Sequence, residues 1–355
     1  MLDISMTDLL KEATYKGCSD LHITEGVSPM VRIDGKIIAL GHYPIISSEM
    51  SRELTYTLVD AERREILEQE GDVDFSFCME EVGRFRINAF KQSKRYSLAI
   101  RILMNHIPAL ESLGFPESIK ALVEKSGGLI LVTGPTGSGK STSLASMINF
   151  INHTRNAHII TIEDPIEYLY QHNQCVINQR EVGEDTKTFS RAIRAAMRED
   201  PDVILVGEMR DLETIQAAIT AAETGHLVLS TLHTKGTAHT VDRIIDVFPP
   251  SQQRQIRIQL AHVLEGVISQ NLVVRKDGKG RTLAMEVMLM NDAIRNLIRE
   301  EKVYQINTVI QTSMKQGMQT LDGHLAVLVH EGTISIQEAL NHCIHPETLK
   351  RHLYK

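Results

Sequence analysis

The sequence predicts an α/β chain in two parts, a mixed α+β module followed by a mainly parallel sheet with helices on its faces. Three observations carry this reading. From Met1 to about Asn105, short runs recur in which alternate residues are apolar. From Leu129 onward, wholly apolar runs alternate with helix-compatible stretches. Between the two textures, His106 to Pro116 carries Pro108, Gly114 and Pro116, which punctuate the chain as a linker does. The expected partition is 1–105, a linker at 106–115, and 116–355 with a mostly helical region from about Val241; a length of 355 residues suits two domains.

In chain order, helical periodicity marks Met6 to Tyr15 and Glu49 to Gln69. Pro29-Met30-Val31-Arg32-Ile33 reads as a strand entering the turn Asp34-Gly35, and Arg84 to Phe90 as a half-exposed strand. In the second part, Leu129–Val132, Ile159–Ile162, Val203–Val206 and Leu227–Leu229 are apolar runs of strand length. Ile215 to Ala222 reads as a packed helix. A hairpin is expected where Leu272-Val273-Val274 and Leu283-Ala284-Met285 flank Lys276-Asp277-Gly278-Lys279-Gly280.

Composition excludes several classes of function. The formal charge of −7 supplies no overall field for nucleic acid. Cys18, Cys78, Cys175 and Cys343 form no Cys-x-x-Cys pair, so neither a disulfide framework nor a zinc site is indicated, and a reducing cytoplasm fits. No segment approaches 18 uninterrupted apolar residues, so membrane contact is expected through partners, with no transmembrane segment.

Polar chemistry sits at the ends of the four apolar runs. Gly134-Pro135-Thr136-Gly137-Ser138-Gly139-Lys140-Ser141 follows the first run and precedes a helix, the context that makes a glycine-rich turn a nucleoside-triphosphate phosphate cradle. Lys140 would reach the β- and γ-phosphates, and Ser141 would ligate Mg²⁺. Ligands bind outside the carboxyl ends of strands in an open parallel sheet, so the other run ends belong to the same edge. Glu208, after Val203–Val206, is placed to deprotonate an attacking water, and Glu163, stopped by Pro165, to orient water or Mg²⁺-bound water. The slot before Glu208, usually an Mg²⁺-holding Asp, is Gly207, so metal would rest on Ser141, with Glu163 and Glu208 acting through water. His226 and His233 bracket the fourth run at an odd separation and cannot chelate together; His233, at the carboxyl end, is placed to report the γ-phosphate, and His226 is read as structural.

With these motifs in place, the chain resembles the type IV pilus retraction (twitching-motility, PilT-like) ATPases of the secretion ATPase superfamily. The resemblance covers nearly the whole length: Ser19-Asp20-Leu21-His22-Ile23, GPTGSGKST from Gly134, TIEDPIEY from Thr161, REDPDVILVGEMRDLET from Arg198, GHLVLSTLHT from Gly225, AIRNLIRE from Ala293 and GMQTLD from Gly317. It implies a PAS-like α+β N-terminal domain, a RecA-like P-loop ATPase domain with a helical C-terminal extension, and a homohexameric ring binding ATP and Mg between subunits. It places Glu163 in the acidic box, Glu208 in an atypical Walker B box, and His226 and His233 in the histidine box. It extends the nucleotide contacts from the loop to Thr142 and to Arg84, Arg86 and Arg101, with part of that arginine set working across subunits.

The expected function is an ATP-hydrolysing motor for pilus retraction and twitching motility, cytoplasmic and peripheral at the inner face of the cytoplasmic membrane. Its partners would be the inner-membrane pilus platform protein and a sister retraction ATPase. AIRNLIRE carries the stripe Ile294, Leu297 and Ile298, which the resemblance ties to retraction rather than to hydrolysis. The alternatives are a pilus-assembly or type II secretion ATPase, whose usual paired Cys-x-x-Cys insertion is missing, and a nucleotide-binding accessory ring subunit.

Overall fold

Sheet and helix follow the two textures of the sequence in a computed structural model that describes residues 4–33, 35–79, 82–103 and 106–354. Asp34 of the expected turn and Asn105 of the expected boundary lie outside the described residues. The chain divides into two compact units, one running to His106 and including Glu167–Leu169, the other holding the remainder.

The first unit comprises α1 (Met6–Tyr15), β1 (Asp20–Ile23), β2 (Met30–Ile33), β3 (Lys36–Ala39), α2 (Ser48–Leu58), α3 (Ala61–Glu70), β4 (Asp72–Met79), β5 (Gly83–Gln92) and β6 (Arg95–Ile102). Its six strands are antiparallel in the order β3-β2-β1-β6-β5-β4. Phe85, Ile87 and Ala89 of β5 point into the core while the residues between them do not, the alternation of a half-exposed strand. The single helix expected over Glu49–Gln69 is two, because Asp60 leaves helical geometry and caps α3 by accepting the Arg63 N–H at 2.9 Å.

The second unit comprises α4 (Glu117–Val123), β7 (Gly128–Thr133), α5 (Lys140–Thr154), β8 (His158–Glu163), β9 (Val176–Glu181), α6 (Phe189–Ala196), β10 (Val203–Val206), α7 (Leu212–Glu223), β11 (Leu227–Leu232), α8 (Thr237–Asp246), α9 (Pro250–Val263), β12 (Leu264–Val274), β13 (Arg281–Leu289), α10 (Asp292–Arg299), α11 (Ile306–Thr312), α12 (Leu321–His330), α13 (Ile336–His342) and α14 (Pro346–Leu353). The seven strands run β13-β12-β7-β11-β10-β8-β9, parallel except for β13 against β12.

Neighbouring residues of the central strands enter opposite cores. Leu129 and Leu131 pack with α6 to α10, and Ile130 and Val132 with α4 and α5. Burial on both faces is why these strands read as continuous apolar runs. Two strands were not visible as such. β9 has only two apolar residues, Val176 and Ile177, before four polar ones, and the expected hairpin begins at Leu264 rather than Leu272, its first half pairing with β7 inside the sheet.

A terminal layer of α12, α13 and α14 packs on β12 and β13 through Val273, Ala284, Leu325 and Leu349. There His324 Nδ1 accepts the Met285 N–H at 3.0 Å, and burial holds its imidazole below the usual 6.5. A depressed folded-state value means this contribution to stability is complete above the ordinary value and lost as pH falls below it. The urea midpoint should therefore drop between about pH 7.5 and about pH 5.5, and His324→Asn, which keeps an acceptor without a titrating ring, should drop less. Equal drops in the two proteins would remove His324 from the acid response.

Candidate active site

The phosphate loop is shaped by what its glycines cannot carry. β7 ends buried at Thr133, and Gly134 then takes φ +143° with its α-carbon against β12. A Cβ there would stand 2.2 Å from the Gln270 main-chain oxygen and 2.7 Å from Ser138 Oγ. Gly137 and Gly139 take φ +77° and +88°, turning the chain into α5, which opens at Lys140. The first-turn N–H groups of Lys140, Ser141 and Thr142 have no acceptor within a helix, so an anion suits them.

The Lys140 side chain is folded back, with Nζ donating to the Gly134 and Pro135 carbonyls at 3.0 and 3.1 Å. Ser138 Oγ is buried without a hydrogen-bond partner among the described residues. A cradle with no room for a Cβ, a lysine resting on its rim and an orphaned hydroxyl fit a polyphosphate. No group of three or more His, Cys, Asp or Glu able to hold a metal occurs among the described residues. The Ser141 hydroxyl, in the first turn of α5, would suit Mg²⁺ beside a bound phosphate.

One residue at the loop escaped the sequence reading. Gln270, fully buried on β12, donates from Nε2 to the Ser138 carbonyl at 2.8 Å and accepts from Ser143 Oγ at 2.9 Å. It clamps the loop to the first turn of α5. The signal was the polar run Ser269-Gln270-Asn271 interrupting an apolar stretch, which has no reason in a fully packed strand.

Three more strand ends reach the same edge. Glu208 follows β10, with Oε2 2.7 Å from Arg210 Nε and 3.6 Å from His233 Nε2. His233 follows β11, and its Nδ1 lies 3.5 Å from Oγ1 of the exposed Thr136 in the loop. Burial first, then the Lys140 charge, holds the His233 imidazole below 6.5 against the opposing pull of Glu208. This favours the neutral ring near pH 7. Glu163 closes β8, buried, accepting from Thr161 Oγ1 at 2.7 Å with Gln179 Nε2 at 3.5 Å.

Gly207 has a packing reason for replacing the expected acid. A Cβ there would stand 3.3 Å from both Glu163 Cα and the Ile162 oxygen, whose carbonyl accepts the Gly207 N–H at 2.8 Å. His226 lies at the other end of β11 from His233. Its Nδ1 lies 2.9 Å from the Ala221 carbonyl and 3.1 Å from Thr224 Oγ1, closing the end of α7.

Arg84, Arg86 and Arg101 belong to the first unit, where Arg86 and Arg101 stand directly opposite each other across β5 and β6. Asp20 is the next residue in that row, its Oδ1 accepting Arg101 Nε at 3.1 Å and its Oδ2 3.6 Å from Arg32 Nε. The sequence reading had neither Asp20 nor Arg32 in this row, because cross-strand register is invisible without the pairing.

Residues 2–341 match the family described as type II/IV secretion system protein. The chain belongs to this family. Among its relatives, the type IV pilus retraction ATPase PilT of Pseudomonas aeruginosa is 47% identical over 344 residues, covering 97% of this chain and 99% of the relative. A twitching motility protein of Neisseria gonorrhoeae is also 47% identical, covering 97% and 92% of the two chains. The crystal structure of the pilus retraction motor PilT with bound ADP superposes with a TM-score of 0.93 at 48% identity, covering 98% of this chain and 100% of that one. The α+β first unit and RecA-like second unit are the architecture of this family.

Replacing Gln270 by Leu tests the clamp. It leaves the Ser138 carbonyl and the Ser143 hydroxyl without their buried partner, a loss of about 1–3 kcal/mol. ADP affinity measured by calorimetry should fall by roughly tenfold. Unchanged affinity would show that the loop holds its shape without Gln270.

Proposed function

We propose that this chain is a Mg²⁺-dependent ATPase whose homohexameric ring powers retraction of type IV pili. The observation that carries the reading is the preformed phosphate cradle with Lys140 resting on its rim and Glu208 and His233 beside it. Full-length likeness to PilT supplies the pilus and the ring. By the same likeness the motor works from the cytoplasm at the inner face of the cytoplasmic membrane, against the pilus platform protein, with a sister retraction ATPase as a further partner. No helix of the described residues is long and apolar enough to cross a membrane.

In this reading ATP lies with its phosphates in the loop from Gly134 to Thr142, and Lys140 exchanges two carbonyl acceptors for phosphate oxygens. Bound Mg²⁺ would neutralise phosphate charge, held by the Ser141 hydroxyl. Glu208 accepts the proton of the attacking water, a task for which the neighbouring Arg210 and His233 fix its carboxylate. Glu163, locked by Thr161, orients that water. Neutral His233 bridges Glu208 and the loop hydroxyl of Thr136, so it senses a group placed between them. Arg84, Arg86 and Arg101 neutralise phosphate charge, part of the set from a neighbouring subunit.

The apolar stripe of α10 is its docked face. Ile294 and Ile298 are fully buried in the main core with Leu297 packed beside them, so the docked face of α10 is the apolar one. Its exposed face, Ala293, Asn296, Arg299 and Glu300, is what remains for a partner.

Glu208→Gln is the direct test of the chemistry. The amide keeps the shape and cannot take a proton, so ATP binding should persist while turnover falls by about 100-fold or more. Turnover near the parent rate would remove Glu208 from the mechanism.

A further inference from the structure

Successive residues of a strand face opposite sides of its sheet, so Ser269 points away from the face on which its neighbour Gln270 grips the phosphate loop. Ser269 stands opposite Thr133 of β7 and Glu286 of β13, and Thr133 stands opposite Leu232 of β11. These four residues form one row across four adjacent strands. Its last three members, Thr133, Ser269 and Glu286, are polar and buried. A carboxylate so placed is costly unless it is hydrogen-bonded, and the partners that Glu286 takes show what the row holds.

The row holds the segment that follows His233. The chain leaves the row at Leu232, the last residue of β11, and returns to it at Gly236, whose N–H donates to Ser269 Oγ at 2.9 Å. At the next residue both the N–H and the hydroxyl of Thr237 donate to Glu286 Oε1 at 2.7 Å, which fixes the start of α8. Thr240, in the first turn of α8, donates to the Gly236 carbonyl at 2.8 Å and brings its Oγ1 to 3.5 Å from Thr133 Oγ1. Because β7 lies between β11 and β12, the segment 233–236 crosses the strand that carries the phosphate loop. His233 is its first residue, and only Thr234 and Lys235 separate it from the pinned N–H of Gly236. The place of the imidazole between Glu208 and Thr136 therefore depends on side chains of β12 and β13 that touch neither.

We propose that Glu286, together with Ser269, is a positioning residue for the nucleotide site: by holding the start of α8 it sets where His233 stands between Glu208 and the loop hydroxyl of Thr136. Both act through the main chain at Gly236 and Thr237. The inference rests on the nucleotide-binding reading of the site, in which His233 senses the group bound beside Glu208.

Steady-state ATPase kinetics of the purified protein test this through a double-mutant cycle between Glu286 and His233. Glu286→Met keeps the length of the side chain and removes the acceptor. Its kcat should fall by roughly tenfold while KM for ATP stays within about twofold, because Gln270 grips the phosphate loop separately. Glu286→Gln retains an acceptor oxygen and should recover most of kcat. His233→Asn should lower kcat, and adding Glu286→Met to it should cost no more than roughly a further twofold, since the group being positioned is already gone. Ser269→Ala, a smaller change that removes the Gly236 acceptor, should show the same split and the same loss of effect beside His233→Asn; it decides the matter if Glu286→Met does not fold. An undiminished cost of either change in the His233→Asn protein overturns the inference, as does a KM that rises with the fall in kcat or a parent-like kcat for Glu286→Met. A parent without Mg²⁺-dependent hydrolysis overturns the nucleotide reading itself. A His233→Asn protein at the parent rate removes His233 from the mechanism, and this inference with it, while the ATPase reading stands.

Discussion

The site depends on how closely β12 approaches the phosphate loop. The Gln270 backbone leaves no space for a side chain at Gly134, and the Gln270 amide grips the loop at Ser138 and α5 at Ser143. One residue thus sets both the turn and the direction of the helix that receives the phosphates. Because these contacts are made by the protein's own buried groups, a phosphate held in the loop costs little ordering. That pre-organisation also explains why Lys140 rests on the loop's own carbonyls: with the cradle already shaped, its ammonium takes the acceptors at hand.

From this anchor the rest of the edge is held by strand register. β8 and β10 pair in register, which brings Gly207 against Glu163 and leaves Glu208 as the first side chain free to reach the loop. β11 lies between β10 and β7, so His233 emerges between Glu208 and Thr136. Hydroxyls tie these ends together. Thr231 Oγ1 donates to the Gly207 carbonyl at 2.7 Å, and Thr234 and Thr240 share a hydrogen bond of 2.7 Å that joins the strand end to α8.

Much of this was legible in the sequence, and the reasons for the exceptions are physical. The four buried parallel strands announce themselves because burial on both faces forces unbroken apolar runs, and the glycine loop because its backbone demands those residues. Glu163, Glu208 and His233 followed from their places at strand ends. β9 was hidden by its four consecutive polar residues, Asn178 to Glu181, and β12 by the polar run Ser269-Gln270-Asn271 at its centre, of which Gln270 serves the loop rather than the core. The Asp20 row depends on register among four strands from the two ends of the first unit, and the break at Asp60 on a capping bond that periodicity cannot see. The stripe on α10 was visible as a pattern, but whether it faces a core or a partner is a tertiary fact.

The central claim is that one edge of this sheet hydrolyses ATP within a ring. The most direct test is the solution mass of the purified protein measured alongside its ATPase activity with and without Mg²⁺. The account predicts the mass of a hexamer and slow turnover that stops when Mg²⁺ is chelated. A monomer with fast turnover, or hydrolysis indifferent to Mg²⁺, would contradict it.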